Sequence, residues 1–285
     1  MNPVATLALV PGRLDKTLRN AFPDWGRRAV GEVIAAKHVR VNGHAVWLAS
    51  WMVQPGDRIE VHHPPGALPT GPSAFDDAWL IHIDEDIVVV DKPSGLRAEG
   101  TRAEDRSANL LSLCALRFGD VTLTHRLDRD TSGVLVLART RVARQALDEA
   151  FKSHSLEKHY VAVVQAPNRL ADSGRISLSL APDPRRHDRM IAVDAGGKAA
   201  RTRYRVASRG ELSDVVDLWP ATGRTHQLRV HCAALGAPIL GDRLYGSAAS
   251  APRMMLHAHS LEVPTIGGSA ARTFLAQLPP GFVAG

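Results

Sequence analysis

The chain has 285 residues, 45% of them apolar and 22% charged, and a formal net charge of +6. This is the composition of an ordinary soluble globular protein, with room for one large domain or a large one with a small companion. The positive excess favours a polyanionic partner over acidic proteins or neutral metabolites, and no apolar run is long enough to span a bilayer.

The N-terminal stretch MNPVATLALVPGR carries no basic leader and too short an apolar run for a signal peptide, so a cytoplasmic protein is expected. Residues 13–61 read as a compact unit. Leu14, Leu18 and Phe22 recur at helical spacing, and so do Val30, Val33 and Ile34. HVRVNGHAV gives two short strands around Asn42-Gly43, a strong hairpin signal. A turn at Pro55-Gly56-Asp57 then leads into the strand Arg58 to Val61.

Seven cations lie between residues 13 and 40 (Arg13, Lys16, Arg19, Arg27, Arg28, Lys37 and Arg40) against the acids Asp15, Asp24 and Glu32. In a unit this small, such a face is suited to phosphate contact. The Pro- and Gly-rich stretch that follows is a linker, giving a domain over 1–62, a linker over 63–78 and a second domain over 79–285.

Beyond the linker, strand and helix patterns alternate. IVVVDKPSGL (87–96) is a buried strand ending in a Pro-Gly turn. Ala143, Ala146, Leu147, Ala150 and Phe151 form an apolar helix stripe. KHYVAVV and ARTRYRVAS are strands of period two. Leu228, Cys232 and Leu235 mark a further helix, with Thr225 as its expected N-cap and Gly236 at its end. Cys114 and Cys232, both in apolar helical stretches, are expected to be free buried thiols.

Chemistry is expected where charge meets the core. In HRLDRDTSGVLVLA, five charged or titratable residues (His125, Arg126, Asp128, Arg129 and Asp130) run directly into the buried strand Val134 to Ala138. Asp128 is the first candidate. It is either a reactive carboxylate or a structural ion-pair member. Arg224 precedes a helix N-terminus, where a cation opposes the dipole; it either faces an anion such as Asp128 or is a solvated surface arginine. Tyr160 either stacks on a base or packs in the core. No phosphate-binding glycine loop, nucleophile elbow or metal-ligand set is found, which points to chemistry without cofactor or metal.

The motifs HRLDRDTSGVLVLA, KHYVAV, GGKAARTRYRV, TGRTHQLRVHCAALGAPILGDRLYG and MMLHAHSLEVP, with DKPSGL before and FLAQLPPGF after, resemble the RluA-type pseudouridine synthases. RVNG and QPGDRIEV make residues 13–61 similar to an S4-type RNA-binding domain. The resemblance implies an α+β protein: a mixed, largely antiparallel central sheet flanked by helices, plus a small N-terminal S4-like domain. It implies cofactor-free isomerisation of uridine in structured RNA, with ribosomal RNA of the large subunit favoured and transfer RNA possible. A non-catalytic RNA-binding or ribosome-assembly factor on the same scaffold is the alternative.

By motif, the catalytic residues are Asp128, Tyr160 stacking on the flipped uracil and Arg224 pairing with Asp128. His125, Arg126, Arg129, Gln227 and Arg229 are assigned to RNA contact. One departure stands beside the site: Arg97-Ala98-Glu99-Gly100 replaces the family's Val-His-Pro-Gly-like loop. A monomer is expected, since no hydrophobic surface stripe is left over.

Overall fold

The computed structural model describes residues 4–23, 25–62, 72, 74–100, 109–165, 170–246 and 251–283, with backbone alone at Arg28 and His187. The chain forms two compact units, residues 1–70 and 71–285. Among the described residues no helix is long and apolar enough to cross a membrane.

In the first unit, the helices Leu14–Ala21 and Arg27–Ala35 share a core with a four-stranded antiparallel sheet. The strands run in the order Val4–Leu7, Arg58–Val61, Val39–Val41, His44–Val46. Leu14, Leu18, Val30, Val33, Ile34, Val39, Ile59 and Val61 have no solvent exposure, and each stabilises the unit by roughly 1.5–3 kcal/mol through burial. Asn42 and Gly43 both adopt positive φ (50° and 84°), as the tight hairpin between Val41 and His44 requires.

The second unit is built on an eleven-stranded sheet. Its main path runs Arg186–Val193, Ser173–Asp183, Lys198–Ser208, Ser213–Pro220, Lys158–Gln165, Leu256–Val263, Ser132–Ala138, Ile87–Lys92, Leu80–Ile83. Neighbours are antiparallel except Ser132–Ala138 beside Leu256–Val263, which are parallel. That parallel pair lies very close at one point: a Cβ on Gly133 would fall 2.2 Å from the carbonyl oxygen of Ala258. Only glycine fits there, at φ 114°.

The strand Ser132–Ala138 is buried over its whole length. The helix Arg141–Lys152 covers one face through Ala143 and Leu147, and Leu110, Leu113 and Cys114 of the helix Leu110–Phe118 cover the other. Both cysteines are buried and free. Most of the stretch expected as a linker lies outside the described residues. Its C-terminal part is packed, with Phe75 edge-on to Trp79 and Phe118.

Candidate active site

Residues 124–131 lead into the buried strand and form one wall of a cavity of about 850 Å³. Pro220, residues 222–229 and Tyr160 line the same cavity. The loop is tied down from beneath. Lys92 is fully buried and its Nζ donates to the carbonyls of Pro93 (2.9 Å), Leu96 (2.7 Å) and Arg129 (3.0 Å). Gly95 N–H also donates to the Arg129 carbonyl (2.9 Å), and Ser94 Oγ to that of Asp130 (2.7 Å). Burial pushes the Lys92 ammonium down to about 7, while Asp130 and Asp128 favour its charge.

Asp128 is half-buried at the cavity wall, and its Oδ2 accepts from Arg229 Nη1 at 3.2 Å. Arg229 is itself clamped: Nε and Nη2 donate to the two oxygens of the buried Asp242 at 2.7 and 2.8 Å. Burial would raise the Asp242 carboxyl, but the Arg229 fork and the amides of Leu244 and Tyr245 hold it below the usual carboxylate range. A buried guanidinium bridging two carboxylates is fixed in place far more firmly than a solvated ion pair.

The partner of Asp128 is therefore Arg229, whereas Arg224 was the expectation. Arg224 lines the cavity, but its Nε donates to the Ala199 carbonyl at 3.2 Å. The difference follows from where the helix begins. Its N-cap is His226, in the left-handed region at φ 55°, and the helix spans Gln227–Ala234. Thr225 is not the cap, and Arg229, inside the helix, is the arginine that turns inward.

Two further expectations change. His125 is not available to RNA through Nε2, because that atom accepts the Val136 amide hydrogen at 3.1 Å; the ring stacks on Phe151 at 4.3 Å. Gln227 is buried and brackets its own loop. Its Oε1 accepts from Thr222 Oγ1 (2.7 Å) and Arg224 N (3.0 Å), and its Nε2 donates to the Arg201 carbonyl (3.0 Å). Arg126 and Arg129 are exposed at the cavity, Arg126 3.8 Å from Glu99 and Arg129 paired with Asp130 at 2.9 Å.

Tyr160 projects from the strand Lys158–Gln165 and packs against both neighbouring cores. Burial first, and the Asp128 charge second, push its phenol pKa up. The hydroxyl is thus a hydrogen-bond donor beside an aromatic face, next to a carboxylate pinned by a buried arginine. That set can hold a flat base, and it can move a proton.

The family described as RNA pseudouridylate synthase matches residues 86–234, just over half of the chain. The chain belongs to the RNA pseudouridine synthases. It is an RluA-type synthase, an isomerase, and residues 12–59 match the S4 domain. "Dual-specificity RNA pseudouridine synthase RluA" of Escherichia coli (strain K12) is 39% identical, over 68% of this chain and 91% of that protein. "Ribosomal large subunit pseudouridine synthase C" of Rickettsia bellii is 33% identical over 88% and 89%. Among solved structures, "Human RNA Pseudouridylate Synthase Domain Containing 1" superposes with a TM-score of 0.61 at 28% identity, covering 70% of this chain and 82% of that one. The large sheet is the fold of this synthase family, and the synthase and S4 domains bind the RNA substrate.

Proposed function

We propose that this synthase isomerises uridine in ribosomal RNA of the large subunit, with Asp128 as the group that engages the nucleotide and with no cofactor. The observation that carries the assignment of Asp128 is its position in the cavity wall, one oxygen held by an arginine that a second buried carboxylate clamps.

The chemistry balances without a further reagent. The bond from C1′ to N1 breaks, a bond from C1′ to C5 forms, C5 gives up its hydrogen as a proton and N1 takes one up. No electron leaves the system. To present the base, the nucleotide must leave its stack, at roughly a few kcal/mol. Tyr160 supplies a face for the extruded uracil, and Arg126, exposed at the cavity mouth, supplies a cation on the RNA side. Tyr160 is held protonated, so it can receive the C5 proton only as its own hydrogen passes on; Asp128 is the nearby acceptor.

Support for a large-subunit target comes from the relative of that name. Its alignment covers 88% of this chain, a larger share than residues 71–285 alone make up, and so extends into the S4 unit. We place the synthase in the cytoplasm as a monomer, with the exposed cations Arg13, Lys16, Arg19, Arg27, Lys37 and Arg40 on RNA phosphates. Arg28, assigned to the same face, lies outside the described side chains.

The test is tritium release from RNA labelled at uracil C5, with ribosomal and transfer RNA pools assayed separately and Asp128→Asn as control. Release from ribosomal RNA that disappears in the variant is the expected result. Release confined to transfer RNA would overturn the substrate, and turnover by Asp128→Asn would overturn the role of Asp128.

A further inference from the structure

Two groups approach the Asp128 carboxylate from the start of the helix Gln227–Ala234, and both approach the same oxygen. Arg229 Nη1 is 3.2 Å from Oδ2, and His226 Nε2 is 3.8 Å from it. Oδ2 is the nearer oxygen to both groups, and among the described residues no hydrogen bond reaches Oδ1.

His226 occupies its place at a cost. Its φ of 55° puts a non-glycine residue in the left-handed region, which is disfavoured by roughly 1–2 kcal/mol. What this conformation achieves is visible in the ring contacts. Nδ1 lies 2.9 Å from the hydroxyl of Tyr245, and that hydroxyl already accepts the Met190 amide hydrogen at 2.7 Å. The phenol keeps its own hydrogen and can give it to Nδ1. A neutral imidazole that accepts at Nδ1 carries its hydrogen on Nε2.

Tyr245 is fixed in turn, with the guanidinium groups of Arg229 and Arg189 over its ring at 5.1 and 5.3 Å. Burial and the neighbouring Arg229 favour the neutral ring, against the pull of Asp128, Asp242 and Asp188. In the tautomer that accepts from Tyr245, the Nε2 hydrogen faces Asp128.

We propose that His226 is a positioning residue for Asp128: its Nε2–H, set by Tyr245, shares Oδ2 with Arg229 and so presents Oδ1 as the oxygen that engages the nucleotide. The inference rests on the reading of Asp128 given above and deepens it. A carboxylate anchored by one donor can turn about its Cβ–Cγ bond and exchange its oxygens. A second donor on the same oxygen removes that freedom. At 3.8 Å the contact is longer than a hydrogen bond and tightens when RNA fills the cavity, as catalytic contacts commonly do on substrate binding.

His226→Asn is the decisive variant. Asparagine tolerates the left-handed conformation and can still accept from Tyr245, but has no donor at the Nε2 position. The single-turnover rate of C5 tritium release at saturating RNA is expected to fall about tenfold or more, the factor for one lost hydrogen bond to a charged group. RNA Kd and the unfolding midpoint stay unchanged. His226→Gln, whose amide nitrogen reaches further toward the lost Nε2, recovers part of the rate. Tyr245→Phe in the His226→Asn background adds no further loss, because both changes remove one interaction.

A wild-type rate in His226→Asn, or a loss seen only in Kd or in stability, overturns the proposal. Asp128→Asn is measured alongside. If it retains turnover, the reading of Asp128 fails and this one with it; if it is inactive while His226→Asn runs at full rate, this one alone fails.

Discussion

The ammonium of Lys92 donates to the backbone carbonyl of Arg129 at 3.0 Å, joining residues 37 positions apart and fixing the chain one residue past Asp128. Lys92 is fully buried, and its two other acceptors, Pro93 and Leu96, close the turn of the DKPSGL segment. The loop that carries Asp128 is therefore held by a buried lysine Nζ with three carbonyl acceptors, in addition to packing. Lys92→Met preserves most of the side-chain volume and leaves those carbonyls short of a donor. It should cost about 3 kcal/mol in urea unfolding. It should also lower the single-turnover rate more than the affinity for RNA. Lost stability with an unchanged rate would mean that packing alone positions the loop.

Tyr160 separates two contributions that one ring makes. Tyr160→Phe keeps the aromatic face and removes the phenol hydrogen that lies near Asp128. RNA binding should be unchanged, while C5 tritium release should slow by about a hundredfold, the lower range for removing a positioned proton-transfer group. A variant that binds weakly but turns over normally once saturated would show that the hydroxyl serves binding alone.

Three imidazoles make the fold sensitive to acid. Burial pushes His125 down to about 3 and His231 and His257 down to about 4. His125 accepts an amide hydrogen at Nε2, and His257 Nδ1 lies 2.8 Å from the Ser132 hydroxyl, which Arg253 also contacts. Unfolded, each ring titrates near 6.5. Above that pH neither state takes up the proton, so these groups leave stability flat. Below it the unfolded chain binds protons that the folded one refuses, and stability is lost as the pH falls toward 4. The slope is at most on the order of 4 kcal/mol per pH unit for three protons. Urea midpoints should therefore drop steeply between pH 6.5 and 5. A level curve down to 5 would mean the rings carry charge inside the fold.

The S4 hairpin and the buried strand before Thr140 were legible because their signals are local: Asn42-Gly43 for a tight turn, and an apolar run after a charged loop. Asp128 stands out as a candidate for the same reason, a carboxylate in a charged loop that runs into a buried strand. Its partner does not. Choosing Arg229 over Arg224 depends on a helix that starts one residue later than Thr225 predicts, behind a histidine in the left-handed region. A signal was present nevertheless. Arg229 stands among Leu228, Val230 and Cys232, and an arginine inside an apolar helix needs carboxylates; Asp128 and Asp242 are those carboxylates. Gln227 was misassigned because a buried amide and an RNA-facing one look alike in sequence. The brackets it forms with Thr222 and Arg201 appear only when the strand Lys198–Ser208 lies alongside the loop.

The basic face of the first unit divides by its partners. Arg13 is engaged by Asp15 at 3.0 Å, and Lys37 lies over the Trp47 ring at 5.5 Å. Lys16, Arg19 and Arg27 stand exposed on the two helices. Cations that neutralise phosphates release counterions, so each contributes about 0.7–0.9 to the slope of log K against log salt. The variant carrying Lys16→Ala, Arg19→Ala and Arg27→Ala should weaken RNA binding at moderate salt and flatten that slope by about 2–3. The single-turnover rate at saturating RNA should stay as it is, since none of the three lines the cavity that holds Asp128. A parallel line of the original slope, displaced or not, would mean that these side chains are solvated in the complex and that other residues of the protein carry the phosphate contacts.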